Sequence, residues 1–138
     1  MMNSVRSGFT LIEIVIAITI IAILGAVAGP PLFKWIAKGK VTATNTTLKA
    51  VNTAIQTFQA DTSTFPTSLS ELLTRPSEEK IAKRWDGPYL EKEPLDGWKR
   101  ELQYQLNPRG AQPPYELYSW GPNGEGSPEE EWIKVQDI

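Results

Sequence analysis

From Ile14 to Phe33 the chain carries no charged side chain for twenty residues. An α-helix of that length spans about 30 Å, the thickness of a bilayer's hydrocarbon core. A cleaved secretory signal has a shorter apolar stretch, about 7–15 residues. Here an acid, Glu13, also stands at the start of the stretch, and cleavage after Ala26 or Ala28 would leave it without a role. The sequence therefore divides into an apolar stalk that crosses a membrane and a polar head. Residues 61–138 are crowded with charge, proline and glycine.

Composition narrows the chemistry further. The chain has no His and no Cys, which removes Ser-His-Asp and Cys-His catalysis, imidazole and thiolate metal sites, iron–sulfur clusters and disulfides. Net charge is −2, and no basic cluster is interleaved with aromatics, so a nucleic-acid groove is not expected. Residues 1–40 hold Arg6, Lys34, Lys38 and Lys40 against Glu13, a net +3 that leaves −5 for the remainder. Only Arg6 and the α-amine precede the span, whereas three lysines follow it. Taken alone, that count of flanking bases favours a cytoplasmic head.

Glu13 needs a physical reason to be where it is. A carboxylate within a membrane helix costs a few kcal/mol and usually has a partner. Position alone leaves two explanations open: the side chain reaches the headgroups and water, or a positive group arrives beside it in an assembled state. The run Ser7-Gly8-Phe9-Thr10-Leu11-Ile12-Glu13, followed at once by the apolar stretch, resembles the processing site of type IV pilins and type II secretion pseudopilins. That resemblance implies cleavage between Gly8 and Phe9 by a membrane prepilin peptidase, N-methylation of Phe9, a leader over residues 1–8 and a stalk over residues 9–33. It also implies a cytoplasmic leader and a periplasmic head, the reverse of the base count. Pro30 falls where many members of the family carry a proline that kinks or melts the stalk.

The motif also makes chemical sense by itself. Gly8 has no Cβ to obstruct a backbone lying flat in a peptidase site. Cleavage would free an ammonium on Phe9, four residues before Glu13. The two groups can meet within one helix or between two subunits. At low dielectric either pairing offsets part of the cost of burying Glu13. The family resemblance implies the intersubunit pairing, with Glu13 setting the stagger between subunits.

Beyond the span, Gly29-Pro30-Pro31 predicts a break or bend, because proline lacks a donor and clashes with the preceding turn. Val41, Leu48, Val51, Ile55 and Phe58 then recur at helical spacing with polar residues between them, which predicts a helix packed on one face. Thr42 to Thr47 is weak helix-forming sequence and needs tertiary or intersubunit support. Asp61 to Pro66 ends the helix. Leu69, Leu72 and Leu73 predict a short second helix capped by Thr67 or Ser68, and residues 74–101 read as an extended loop rich in turn chemistry. Three segments with a two-residue period, Leu102–Leu106, Tyr115–Trp120 and Trp132–Val135, predict strands.

Two blocks in the head extend the resemblance to major pseudopilins of type II secretion. One is Asp61-Thr62-Ser63-Thr64-Phe65-Pro66-Thr67. The other, Pro94-Leu95-Asp96-Gly97-Trp98-Lys99, departs from the family pattern at Gly97 and Lys99. The implied fold is α+β and type IV pilin-like: a long N-terminal helix packed on a small antiparallel sheet of three strands, with residues 34–138 forming the periplasmic head. The implied role is structural and not enzymatic: an inner-membrane, single-pass subunit that polymerises into a periplasmic filament driving protein export. Its partners would be copies of itself, minor pseudopilins, the prepilin peptidase/N-methyltransferase and the inner-membrane assembly platform. A type IV or competence pilin, a minor pseudopilin, and a membrane-anchored binding or enzymatic domain are the alternatives. Carboxylate pairs such as Glu91/Glu93 lie in loop-like, solvated sequence with no sign of a cleft.

Family members carry a calcium site in the loop that matches residues 121–131. The resemblance therefore directs attention to Trp120, Asn123, Glu125, Ser127, Glu129, Glu130 and Glu131 as candidate ligands for Ca2+. Calcium takes about six to eight oxygens, which a glycine-bent loop can supply. This sequence has Asn123 where the family commonly has Asp, and the downstream Asp pair is absent. A solvated acidic loop closing a hairpin is the other reading.

Overall fold

The computed structural model describes residues 8–138, so the leader expected over residues 1–8 lies outside the described residues except for Gly8. The chain divides into two compact units, one ending at Ile36 and the other Ala37–Ile138. Helix α1, Leu11–Thr62, contributes residues to both.

In the first unit, Leu11, Ile12, Ile18, Ile21, Leu24, Val27 and Phe33 are among the large apolar side chains left exposed. The helix is long and apolar enough to cross a membrane, and none of its most apolar stretch is buried within the chain. The Thr19 hydroxyl donates to the Val15 carbonyl at 2.7 Å, so the helix itself satisfies this polar group. Of the break or bend expected at Gly29-Pro30-Pro31, a helix end is not found: α1 runs from Leu11 to Thr62. Proline removes two backbone donors there, but helix propagation is cooperative and helical residues flank the pair on both sides.

The second unit is built on the remainder of α1. Leu48, Val51, Ile55 and Phe58 are buried as their spacing predicts, while Val41 is half-buried. Each fully buried side chain of this size contributes about 1.5–3 kcal/mol. The weak helix former Thr42-Ala43-Thr44-Asn45-Thr46-Thr47 is held partly by its own hydroxyls. Those of Thr42, Thr44, Thr46 and Thr47 donate to the carbonyls four residues earlier, at 2.8–3.1 Å. The helix ends where Ser63 takes the left-handed conformation (φ 63°) and its amide donates to the Gln59 carbonyl at 2.8 Å, closing the last turn.

The connection to the sheet crosses the core. A 3-10 turn at Leu69–Leu72 follows Ser68. Thr67 donates both its amide and its hydroxyl to the Glu71 carboxylate, at 3.0 and 2.7 Å. Residues 74–101 are not wholly extended, since they contain one helical turn, α2, at Glu79–Ala82. The Leu72 carbonyl accepts from the amides of Tyr89 and Leu90, and the Tyr89 ring packs edge-on to Phe58 at 5.6 Å. Tyr89 donates its hydroxyl to Asp61 at 2.8 Å, fastening the loop to the end of α1.

Three antiparallel strands follow: β1, Gln103–Leu106; β2, Tyr115–Ser119; and β3, Ile133–Lys134. Their order is β1-β2-β3, with Gln103 opposite Tyr118, Leu106 opposite Tyr115, and Tyr118 opposite Lys134. Alternation along β2 buries Tyr115, Leu117 and Ser119 and turns Glu116 to solvent. Tyr115 donates to Asn52 Oδ1 at 2.6 Å, tying the central strand to α1. The three expected strands are present, each trimmed by one or more residues.

One buried carboxylate joins these parts. Asp96 is 4% exposed. Its Oδ1 accepts from the amides of Trp98 (2.8 Å) and Arg100 (3.0 Å), and its Oδ2 accepts from the Ser119 hydroxyl (2.7 Å) and faces Arg100 Nε at 3.5 Å. The neighbouring Gly97 amide donates to Thr44 Oγ1 at 2.9 Å. Gly97 lies so close to the Lys40 carbonyl that a Cβ would overlap it. A residue other than glycine would push this turn off α1.

Two outcomes follow from this packing. Asp96→Ala strands the Arg100 guanidinium, the Ser119 hydroxyl and two turn amides, and is expected to cost about 3–5 kcal/mol, read by chemical denaturation of the full chain in detergent micelles. Burial raises the Tyr104 and Tyr115 hydroxyls above the usual tyrosine value. A group raised on folding contributes stability that is complete below its unfolded value and is lost as pH climbs through the folded one. Denaturation midpoints should therefore fall above about pH 10, and Tyr104→Phe should flatten that fall.

Candidate functional site

At the N-terminal end of α1, Gly8, Phe9 and Thr10 precede the helix. Phe9 is 86% exposed, and a Cβ on Gly8 would meet nothing among the described residues. Packing therefore gives no reason for glycine at position 8. Thr10 caps the helix. Its hydroxyl accepts from the Glu13 amide at 3.3 Å, while its own amide donates to Glu13 Oε2 at 2.8 Å. A further bond from the Thr10 hydroxyl to the same oxygen, at 3.0 Å, closes the arrangement. This is a reciprocal capping box, in which a Thr and a Glu three residues on satisfy each other's backbone amides.

The box gives Glu13 a role within a single chain that neither sequence explanation contained. It also fixes the carboxylate at the negative-favouring end of the helix dipole. Phe9 lies outside the helix, so the Phe9–Glu13 pairing at one helical turn is not the arrangement of the uncleaved chain. Thr10 is a residue that the motif reading passed over, although Thr10-Leu11-Ile12-Glu13 is a legible capping signature.

The second candidate region is the loop from Gly121 to Glu131. Aromatic side chains clamp its ends. Trp132 stacks on Tyr118 at 4.5 Å with rings nearly parallel, and Trp120 meets Trp132 edge-on at 4.8 Å. Gly121, Gly124 and Gly126 have φ of 74°, 79° and 87°, and they bend the chain back on itself. Ser127 donates its hydroxyl to the Trp120 carbonyl at 2.8 Å and accepts from Trp132 Nε1 at its own carbonyl at 3.0 Å.

The predicted ligands in this loop meet only in pairs, Asn123 with Glu131 and Ser127 with Trp120. Glu129 pairs with Lys134, a contact that raises the lysine above its ordinary value. Glu131 accepts from the Asn123 amide at 2.6 Å. Glu125 and Glu130 are exposed, and among the described residues no three Asp or Glu side chains come together as a metal-binding group. The Trp120 carbonyl is held by Ser127, and the Gly121 carbonyl accepts from Arg100 Nη2. Of the loop carboxylates, Glu129 and Glu131 are thus engaged within the chain, Glu125 and Glu130 face solvent, and a guanidinium stands inside the bend. Arg100 and Asp96 are the residues that matter here. Their separation by four positions in a loop gave no periodic signal by which to find them.

Two comparisons of sequence and one of structure bear on identity. The family described as "Type II secretion system (T2SS), protein G" matches residues 32–137, and the "Prokaryotic N-terminal methylation motif" matches residues 3–29. Type II secretion system core protein G of Pseudomonas aeruginosa is 36% identical over 124 residues, covering 86% of this chain and 85% of that protein. The Klebsiella pneumoniae core protein G is 31% identical over 123 residues, covering 86% of each. The crystal structure of the major pseudopilin from the type 2 secretion system of enterohaemorrhagic Escherichia coli has the same fold. Its TM-score is 0.59 at 21% identity, over 73% of this chain and 90% of that one. With an uncovered apolar helix, a capped Phe-Thr-x-x-Glu start and a three-stranded head on these matches, the chain belongs to the protein G family of the type II secretion system.

Proposed function

We propose that this chain is the repeating subunit of a type II secretion pseudopilus, a structural protein and not an enzyme. The observation that carries the reading is a helix with two dissimilar halves. One half exposes an apolar surface long enough to cross a bilayer, and the other is the main wall of a head with its own buried core. Monomers stored in the inner membrane with their heads in the periplasm can leave lipid only if neighbouring stalks replace it. Polymerisation supplies that replacement. The match to protein G over residues 32–137 favours this subunit over a minor pseudopilin or a type IV pilin.

The chemistry begins at the Gly8–Phe9 amide. Water adds across that bond in the peptidase, leaving a carboxylate on Gly8 and an ammonium on Phe9; loss of one proton and transfer of a methyl group from an electrophilic methyl donor then give a secondary ammonium that keeps its charge. An ammonium from an adjoining subunit then approaches Glu13. Thr10 holds the carboxylate by two hydrogen bonds, so it meets the incoming charge with little freedom left to lose. Pairing at low dielectric is specific in position even where its net energy is small, which suits a device that selects one stagger. The same filament growth would engage minor pseudopilins and the inner-membrane assembly platform.

Intact mass measurement of the protein from its native membrane should give a chain starting at Phe9 and heavier by one methyl group. Glu13→Ala should insert into membranes normally yet fail to form filaments. Thr10→Ala loses only the cap, about 0.5–2 kcal/mol of helix-end stability, and should still assemble in reduced amount. Normal filaments from Glu13→Ala, or a mature chain that retains Met1, would sink the proposal.

A further inference from the structure

The bend of the 121–131 loop already contains a positive charge, and it belongs to the chain. Arg100 Nη2 donates to the Gly121 carbonyl. Nη1 lies so close to Gly124 that any Cβ at that position would overlap it. The guanidinium rests 5.5 Å over the Trp98 ring, and its Nε faces the buried carboxylate of Asp96 at 3.5 Å. From Asp96 the contacts close into a circuit. Ser119 donates to Asp96 Oδ2 at 2.7 Å, and Gly121 donates its amide to Ser119 Oγ at 3.2 Å. The Gly121 carbonyl returns the circuit to Arg100.

We infer that Arg100 is the resident cation of this loop, fixing its bend as a bound divalent ion would, so that the head folds and keeps the loop closed without calcium. The requirement is the same in both cases: a tight bend of left-handed glycines turns a carbonyl inward, and a positive centre must meet it. A guanidinium meets it with directed N–H groups, remains charged at any physiological pH, and is covalently present at every ion concentration. A calcium ion seeking the Gly121 carbonyl would have to displace that group against like charge. Two of the loop's carboxylates are already engaged, Glu129 with Lys134 and Glu131 with Asn123, while Glu125 and Glu130 point to solvent. Small side chains at 121 and 124 are part of the same device. Gly121 leaves room for the Glu131 carbonyl and Gly124 for the guanidinium, so the loop's glycines are shaped around Arg100 and the returning strand.

The test is made on the full chain in detergent micelles and does not depend on filament formation, so it stands apart from the proposed role in secretion. Thermal unfolding, followed by tryptophan emission, is compared in millimolar calcium chloride and in excess chelator. The expected result is one midpoint for both conditions, because a ligand that binds the folded form would raise it. Arg100→Gln should lower that midpoint by about 5–10 °C and speed amide exchange at Gly121, Gly124 and Ser127. Arg100→Lys keeps the charge but loses the fork and should fall between the two. A midpoint that drops on chelation of the unaltered chain overturns the inference, as does an Arg100→Gln variant that melts and exchanges like the original. If Arg100→Gln does not fold, the calcium comparison and the exchange rates of Arg100→Lys decide it, with wild-type exchange in Arg100→Lys counting against.

Discussion

An apolar helix surface of this length has no cover within the described chain. Burial of such surface contributes about 25 cal/mol per Å², so leaving it in water is untenable, and lipid or the stalks of other copies must surround it. Everything else follows from that demand. The head has to be self-sufficient, because it cannot borrow apolar surface from a stalk committed elsewhere. It achieves this with one continuous helix whose later turns present Leu48, Val51, Ile55 and Phe58 to a small sheet. A head of about a hundred residues with three short strands has a thin core, and its polar ties therefore carry unusual weight.

Those ties converge on Asp96. A carboxylate excluded from water is costly unless its lone pairs are met, and here two amides and a hydroxyl meet them while a guanidinium stands at ion-pair distance. The result is a junction of three segments: the 94–101 turn, the end of β2 and the bend at Gly121. Thr44 and Gly97 join the junction to α1 by a single hydrogen bond and a close backbone approach. Because Arg100 belongs to this junction, the state of the outer loop and the integrity of the core are coupled.

In the proposed filament one carboxylate, Glu13, would serve first the chain and then the assembly. Within the monomer it completes the first turn of α1 with Thr10, meeting donors that the helix geometry leaves unpaired. The same hydrogen bonds hold it at a defined height on the helix, which is what a pairing between subunits needs.

Much of this was legible in the linear order of residues. The span, the Gly8-Phe9-Glu13 motif, the apolar stripe of α1 and the three alternating strands are local patterns, set by the helical and strand periods and by the length of a bilayer crossing. Thr10 was legible too, through its spacing to Glu13. The fate of the acidic loop was not. Whether Glu125, Glu129, Glu130 and Glu131 converge depends on where each side chain points after the chain has turned at three glycines. Which cation stands in the bend depends on Arg100, twenty-one residues away from Gly121 in sequence. Continuity at Pro30 likewise depended on the helical turns on either side, which residue preferences at one position do not weigh. Short-range order therefore determined the stalk, its processing motif and the elements of the head. Tertiary packing alone decided what fills the loop, because a charge finds its partner by distance in space and not by spacing along the chain.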